Sequence, residues 1–290
     1  MTINEIIIRY SKKLENISST PRLDVETILQ KVLNVDRLYI LLNLDKSLNI
    51  DEEKLFNKYI KERLNNRPIA YIVENREFMG LDFYVKEGVL IPRPDTEILV
   101  EEVIELAKGK GKINILDIGT GSGAITVSLA KYLKDAKIIS VDISDIALEI
   151  AKKNAQNNYV DDRITFIKSD LFTNIDKDMK FDIIVSNPPY IKRKVIETLD
   201  KQVKDFEPYN ALEGGVDGLD FYRKITKQGK NYLNKGGFLA YEVGHDQSED
   251  VSKLMKNDGY TNIYTRKDLQ QIDRVVIGSV LWYNELLKLY

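Results

Sequence analysis

The chain has 290 residues, 43% of them hydrophobic and 30% charged, with a net charge of −2; this is an ordinary globular composition, sufficient for one or two domains and a large core, and it lacks the basic excess of a nonspecific duplex binder. With no cysteine and a single histidine, His245, disulfides and thiolate metal sites are excluded, and zinc centres or histidine-driven nucleophilic catalysis are disfavoured. No apolar run approaches the ~20 residues of a membrane span and no basic-then-apolar leader opens the chain, so a cytoplasmic protein without membrane partners is expected.

Residues 1–75 read as a small helical domain. Ile3, Ile6, Ile7, Tyr10 and Leu14 recur at helical spacing. Thr20-Pro21 reads as an N-cap with proline at the first helical position. Leu23, Ile28, Leu29, Val32 and Leu33 form a second apolar face. A third helix is expected over 51–64. Nothing here clusters for chemistry, which points to a packing or partner-docking module. There is no internal repeat and no low-complexity segment.

Residues 76–92 change character: Gly80 between two short β-prone runs reads as a β-hairpin linking two domains. A second, larger domain is expected over 93–290. In Arg93-Pro94-Asp95-Thr96-Glu97, Asp95 or Thr96 can cap the following helix, with Glu97 favoured in its first turn. An acidic turn beside a bound cation is the alternative.

From residue 112, strands and helices alternate, which predicts a mostly parallel α/β sheet with helices on both faces. The expected strands are 113–118, 137–141, 164–167, a fourth entering Asn187, 238–243, and a closing hairpin of 262–265 and 274–281. Helices are expected over 124–133, 145–157, 219–233 and 248–257. A long loop, 191–217, joins the fourth strand to the third of these helices, and residues 282–290 form a tail. His245, after the fifth strand, reads as structural or loop-exposed.

The first strand runs into Gly119-Thr120-Gly121-Ser122-Gly123, where glycine permits tight φ and close approach to a ligand. The second ends at Asp142, about twenty residues on, where a carboxylate can take both ribose hydroxyls of a nucleoside. Asp170 follows the third strand and can accept from an adenine amino group, with Leu171 and Phe172 facing the ring; it reads equally as a turn residue. Gly119-x-Gly121-x-x-Ala124 meets the loose dinucleotide template. Asp117 ahead of a Thr-Gly-Ser-Gly run fits an S-adenosylmethionine site better.

The fourth strand ends in Ser186-Asn187-Pro188-Pro189-Tyr190. Prolines lack a backbone donor and restrict the residue before them, so the loop is stiff and rich in acceptors. The Asn187 side-chain carbonyl and the Pro188 backbone carbonyl can hold both N–H bonds of a planar NH2 group, against the Tyr190 ring. Asn-Pro-Pro is also an ordinary turn signal; the glycine turn upstream favours the site. Such a pocket suits methyl transfer to an amine-like nitrogen and offers nothing for hydride transfer.

These motifs together resemble the release-factor glutamine methyltransferase family (PrmC/HemK type). The resemblance is carried by RPIAYI (67–72), EFMGLDFYV (77–85), IPRPDTE (91–97), LDIGTGSGAI (116–125), VDIS (141–144), SDLF (169–172), VSNPPYI (185–191), the EPYNALEGGVDGLDFYR segment (207–223) and DRVV (273–276). NPPY alone is shared with nucleic-acid amino-methyltransferases. Asp95 and Glu213 stand where the family usually shows Glu and Asp, with charge kept. The resemblance implies a seven-stranded Rossmann-like methyltransferase sheet, its last strand antiparallel, behind the helical domain. It implies methyl transfer from S-adenosylmethionine, without metal, to the glutamine of the Gly-Gly-Gln motif in class 1 peptide chain release factors, leaving S-adenosylhomocysteine. By motif position, Gly119, Thr120, Gly121, Ser122 and Gly123 approach the cofactor, Asp142 takes its ribose, and Asp170 and Leu171 line its adenine. Asn187, Pro188, Pro189 and Tyr190 hold the glutamine amide. The alternatives are a nucleic-acid exocyclic-amine methyltransferase, disfavoured by the charge, and a non-catalytic nucleoside-binding protein.

Overall fold

The computed structural model describes residues 1–280; Leu281 and the tail after it lie outside the described residues. The described residues divide into two compact units, one of 1–75 with 200–206 and one of 76–199 with 207–280.

The first unit is helical: α1 (Ile3–Leu14), α2 (Pro21–Leu33), α3 (Arg37–Leu42), α4 (Ile50–Leu64) and α5 (Ile69–Val73). Thr2 and Glu5 form a capping box that starts α1, and Asn49 and Glu52 form another on α4, each satisfying otherwise orphaned N–H groups. Thr20 departs from expectation. Its side chain makes no capping bond to a backbone N–H, and its hydroxyl instead faces Asp24 Oδ1 at 3.5 Å. The core joins Ile3, Ile6, Leu14, Val25, Ile28, Leu29, Ile40 and Phe56. The short helices α3 and α5 escape the periodicity because neither is long enough to show a 3.6-residue stripe.

In the second unit, β1 (Arg76–Phe78) and β2 (Leu81–Phe83) form the expected hairpin, which belongs wholly to this unit. Helix α6 (Asp95–Ala107) follows. Then come β3 (Ile113–Ile118), α7 (Ala124–Tyr132), β4 (Ala136–Asp142), α8 (Asp145–Asn157), β5 (Ile164–Lys168) and β6 (Phe181–Ser186). The predicted loop 191–217 contains two short helices, α9 (Arg193–Ile196) in this unit and α10 (Lys201–Lys204), which belongs to the first unit. After it lie α11 (Asp220–Gly229), β7 (Leu233–Glu242), α12 (Ser248–Asn257), β8 (Thr261–Lys267) and β9 (Asp273–Ser279). Against expectation, α11 stops at Gly229 and β7 starts at Leu233, since the pair Gly236-Gly237 lies inside the strand rather than before it. The predicted last strand ends at Ser279.

The seven strands form one sheet in the order β5-β4-β3-β6-β7-β9-β8. β5 to β7 pair in parallel, and β9 runs antiparallel between β7 and β8. Ile183, Ile184 and Val185 of β6 are all buried, as a strand covered on both faces requires. Chain order reverses between β3 and β6, which lie side by side with Ile118 opposite Ser186. In an open α/β sheet the crevice outside the carboxyl ends at such a switch point is where ligands bind. It places the glycine turn after β3 beside the Asn187 loop after β6. Among the described residues, no helix is long and apolar enough to cross a membrane.

Candidate active site

Within the second unit a cavity of about 390 Å³ opens at this switch point, within the ordinary range for small-molecule sites. Gly119, Thr120, Gly121 and Ser122 line it, with Asp142, Asp170, Leu171, Asn187, Pro188 and Pro189. Most of the predicted site residues thus converge on one space. Three do not. Gly123 turns away: a Cβ there would come within 3.0 Å of the Ala151 Cβ, so it serves the close contact of the turn with α8. Phe172 is buried in the core and stacks on Tyr232 at 4.8 Å. Tyr190 lies behind the Asn187 loop, outside the cavity wall, with its hydroxyl 3.5 Å from Glu242 Oε1.

The glycine turn is a backbone cradle. Gly119 and Gly121 have φ of +80° and +54°, and a Cβ on either would meet nothing within 4 Å. The space above them is open to a ligand, and side-chain-bearing residues rarely adopt this backbone. Gly119 and Thr120 N–H groups donate to the Val141 carbonyl at 2.9 and 3.0 Å, which pins the turn to the end of β4. Under it is a polar knot. Thr126 donates to Asp117 at 2.5 Å, and Ser140 donates to Thr120 at 2.6 Å. Burial pushes the Asp117 carboxyl up to about 6, against the hydrogen bonds of Thr126, Thr120 and Ser140.

Asp142 is oriented by backbone donors. Its Oδ2 accepts from Gly121 N–H and its Oδ1 from Ser144 N–H, both at 2.9 Å. A carboxylate has about four acceptor sites, so capacity remains for two hydroxyls. Burial raises its pKa, and the Ser144, Gly121 and Ile143 amides oppose that rise. Asp170 is exposed at the cavity edge, and Leu171, in the left-handed region at φ +50°, lies beside it.

The Asn187 loop is braced from behind by residues that no local pattern singled out for the site. Gly214 N–H donates to the Ile191 carbonyl, and Ile191 N–H to the Leu212 carbonyl, both at 2.9 Å. Gln247 Nε2 donates to the Tyr190 and Gly218 carbonyls at 3.0 and 3.2 Å. Arg93 donates to the buried Glu207 at 2.5 Å, and Ile91 N–H reaches the other Glu207 oxygen at 3.4 Å. This pair ties the 91–93 segment to Pro208, and Pro92, Arg93 and Pro208 all line the cavity. The motifs containing these residues are visible in the sequence, but only the fold brings them together.

Asp95 and Thr96 do not cap α6. Pro94 holds the cap position without a side-chain bond. Asp95 instead pairs with Arg274 at 3.0 Å, and the buried Thr96 hydroxyl receives the Asn187 amide nitrogen at 3.3 Å. Glu97 accepts from Met79 N–H at 2.8 Å and so anchors the hairpin. No group of three or more metal-ligating side chains occurs among the described residues, so the acidic turn gains no support as a cation site. His245 is exposed.

A seven-stranded sheet with an antiparallel penultimate position, a glycine cradle and an acidic residue closing the second strand defines a Rossmann-like methyltransferase. The Methyltransferase small domain family matches residues 94–205, and the PrmC N-terminal domain family matches residues 5–73. A release factor glutamine methyltransferase from Clostridium acetobutylicum is 44% identical over 96% of this chain and 98% of its own. Another of that name from Clostridium botulinum is 44% identical over 95% and 98%. The chain belongs to the release factor glutamine methyltransferase family. In fold it is similar to the T. thermophilus 16S rRNA N2 G1207 methyltransferase solved with AdoMet and guanosine. That match has a TM-score of 0.51 at 19% identity and covers 71% of this chain and 49% of that one.

Proposed function

We propose that this protein methylates the side-chain amide nitrogen of the glutamine in the Gly-Gly-Gln motif of peptide chain release factors, using S-adenosylmethionine. The observation that carries the reading is the Asn187-Pro188 acceptor ledge sharing one cavity with an open glycine cradle and a backbone-oriented Asp142. The names of the 44%-identical relatives support the same substrate class, and the cofactor named for the rRNA enzyme of this fold supports the donor.

The residues present fit that cofactor. Gly119 and Gly121 leave backbone room for it, Asp142 keeps acceptors free for ribose hydroxyls, and Asp170 with Leu171 borders the place for the base. When bound, it supplies a methyl group on a sulfonium and departs as S-adenosylhomocysteine. The protein's task is to make a poor nucleophile competent, because an amide lone pair is delocalised into its carbonyl. Asn187 Oδ1 and the Pro188 carbonyl accept the two N–H bonds and aim the nitrogen. Positioning of this kind contributes up to ~7–11 kcal/mol in favourable cases. The nitrogen gains its new bond to carbon and loses a proton to solvent. An N-methylated, protonated amide is strongly acidic, so no side-chain base and no metal is required. Tyr190 supports the loop from behind rather than walling the cavity.

The test offers labelled methyl donor to three acceptors: a release factor, the same factor with its motif glutamine replaced, and bulk nucleic acid. Label is expected only in the first. Label in nucleic acid and not in the factor overturns the reading in favour of an exocyclic-amine methyltransferase.

A further inference from the structure

Glu242 ends β7 directly behind the Asn187 loop, is only 3% exposed, and is not among the residues lining the switch-point cavity. Its Oε2 completes no hydrogen bond and its Oε1 faces the Tyr190 hydroxyl at 3.5 Å. The Thr96 hydroxyl and the Asn187 amide are near enough to oppose the rise in its pKa, although neither completes a hydrogen bond to it. A buried carboxylate in a sheet core is costly unless something needs it.

The need is visible in the amide of Asn187. A carboxamide can present either its oxygen or its NH2 to the cavity, and shape alone does not decide between them. Asn187 Nδ2 points inward to Thr96 Oγ1 at 3.3 Å. A threonine hydroxyl has one proton. If that proton is committed to Glu242, the hydroxyl can only accept from Asn187, and the amide nitrogen must face inward. If the proton is released, the hydroxyl can donate to Asn187 Oδ1 and the amide can turn over. The cavity would then present a donor to the substrate's own NH2.

We infer that Glu242 is a positioning residue for this reaction: through Thr96 it commits the Asn187 side chain to present its oxygen, and through Tyr190 it steadies the same loop. The inference rests on the proposed role of Asn187. Burial, the largest influence, pushes the Glu242 carboxyl up to about 7. The Thr96 hydroxyl opposes this, Asp95 adds to it, and Arg274 and the Asn187 amide oppose it. The charged and titratable groups around it are Asp95 of α6, Arg274 of β9, Tyr190 of the loop, and Tyr222 of α11. The Tyr222 hydroxyl donates to the Glu242 backbone carbonyl at 2.8 Å. Arg274 is shared with Asp95 and Asp268 at 3.0 and 2.8 Å. Protonated Glu242 has a proton of its own to place, as does glutamine, and either frees the Thr96 proton.

The test compares wild type with Glu242→Gln across pH, on a release factor substrate. At about pH 8.5, kcat of the variant is expected to fall about 10- to 100-fold, with KM and S-adenosylhomocysteine affinity within about twofold. At about pH 5.5 the wild-type carboxyl is neutral too, and the ratio of the two rates is expected to close towards unity. Thr96→Val is expected to reproduce the loss, Thr96→Ser to restore most of the rate, and the Thr96→Val/Glu242→Gln double variant to be no worse than either single one. A rate ratio constant across pH, a wild-type rate for Glu242→Gln at the higher pH, or additive losses in the double variant would overturn the inference while Asn187→Ala stays inactive. An active Asn187→Ala variant would instead sink the reading of the site itself.

Discussion

Replacing Asn187 with alanine is expected to lower kcat about 10²–10³-fold, the scale on which loss of one preorganised polar contact to a reacting group is felt. Affinity for S-adenosylhomocysteine should remain within a small factor of wild type, because the glycine cradle and Asp142 are separate contributors to the cavity wall. Asp142→Ala should do the converse and weaken cofactor affinity, which calorimetry measures directly. The physical reason is a division of labour along the switch point. The loop after β6 orients the amide, and the turns after β3 and β4 hold the nucleoside. A near wild-type turnover for Asn187→Ala would remove Asn187 from the reaction.

Gly214→Ala is expected to cost nearly as much by a different route. A Cβ on Gly214 would lie 2.6 Å from the Pro189 carbonyl oxygen and 2.7 Å from the Tyr190 Cα. These are backbone atoms of the Asn187 loop, with no flexible end to swing aside. One of the two segments must move, at an overpacking cost of about 1–3 kcal/mol. Displacing a positioning group by about 1 Å can cost on the order of 10²-fold in rate. Thermal unfolding and steady-state kinetics should therefore both register the change. Gly229→Ala is the control: its Cβ would meet nothing closer than the Tyr260 hydroxyl at 3.4 Å, and a wild-type rate is expected. An unaltered rate for Gly214→Ala would mean that the brace does not set the geometry of the ledge.

How much of this was legible in the sequence follows from which forces are local. β6 could be read because three adjacent apolar residues buried on both faces make an unbroken run, and the glycine turn because positive φ leaves glycine as its trace. α8 spans the expected 145–157, and the Ser144 side chain caps its start by accepting from Ala147 N–H. β7 was misread at its start because Gly236-Gly237 is ordinarily a turn, and only pairing with β6 keeps the strand going through it. The cap assigned to Asp95 and Thr96 failed for a related reason. Their partners, Arg274 and Asn187, lie far along the chain, and tertiary bonds outweigh a local capping preference.

The site divides in the same way. Residues that touch the cavity sit in short motifs, where steric and hydrogen-bonding demands leave a readable residue pattern. Residues that brace those motifs do not. Glu242 in YEVG looks like any strand residue, and nothing near it in sequence says that its carboxylate is buried behind Asn187. Gln247 is similarly silent, and Gly214, though it lies in a recognisable motif, does not show its contact with the Asn187 loop until the chain folds. The Tyr190 hydroxyl faces Glu242, a contact that its place beside the ledge does not announce.

The most direct measurement is a crystal structure of the protein with S-adenosylhomocysteine and a peptide carrying the glutamine motif. The account predicts the cofactor on Gly119 and Gly121, with its sulfur facing the bound amide nitrogen and Asn187 Oδ1 and the Pro188 carbonyl accepting that nitrogen's two protons. A nucleoside bound away from the glycine turn, or a glutamine held elsewhere than on the Asn187-Pro188 ledge, would contradict it.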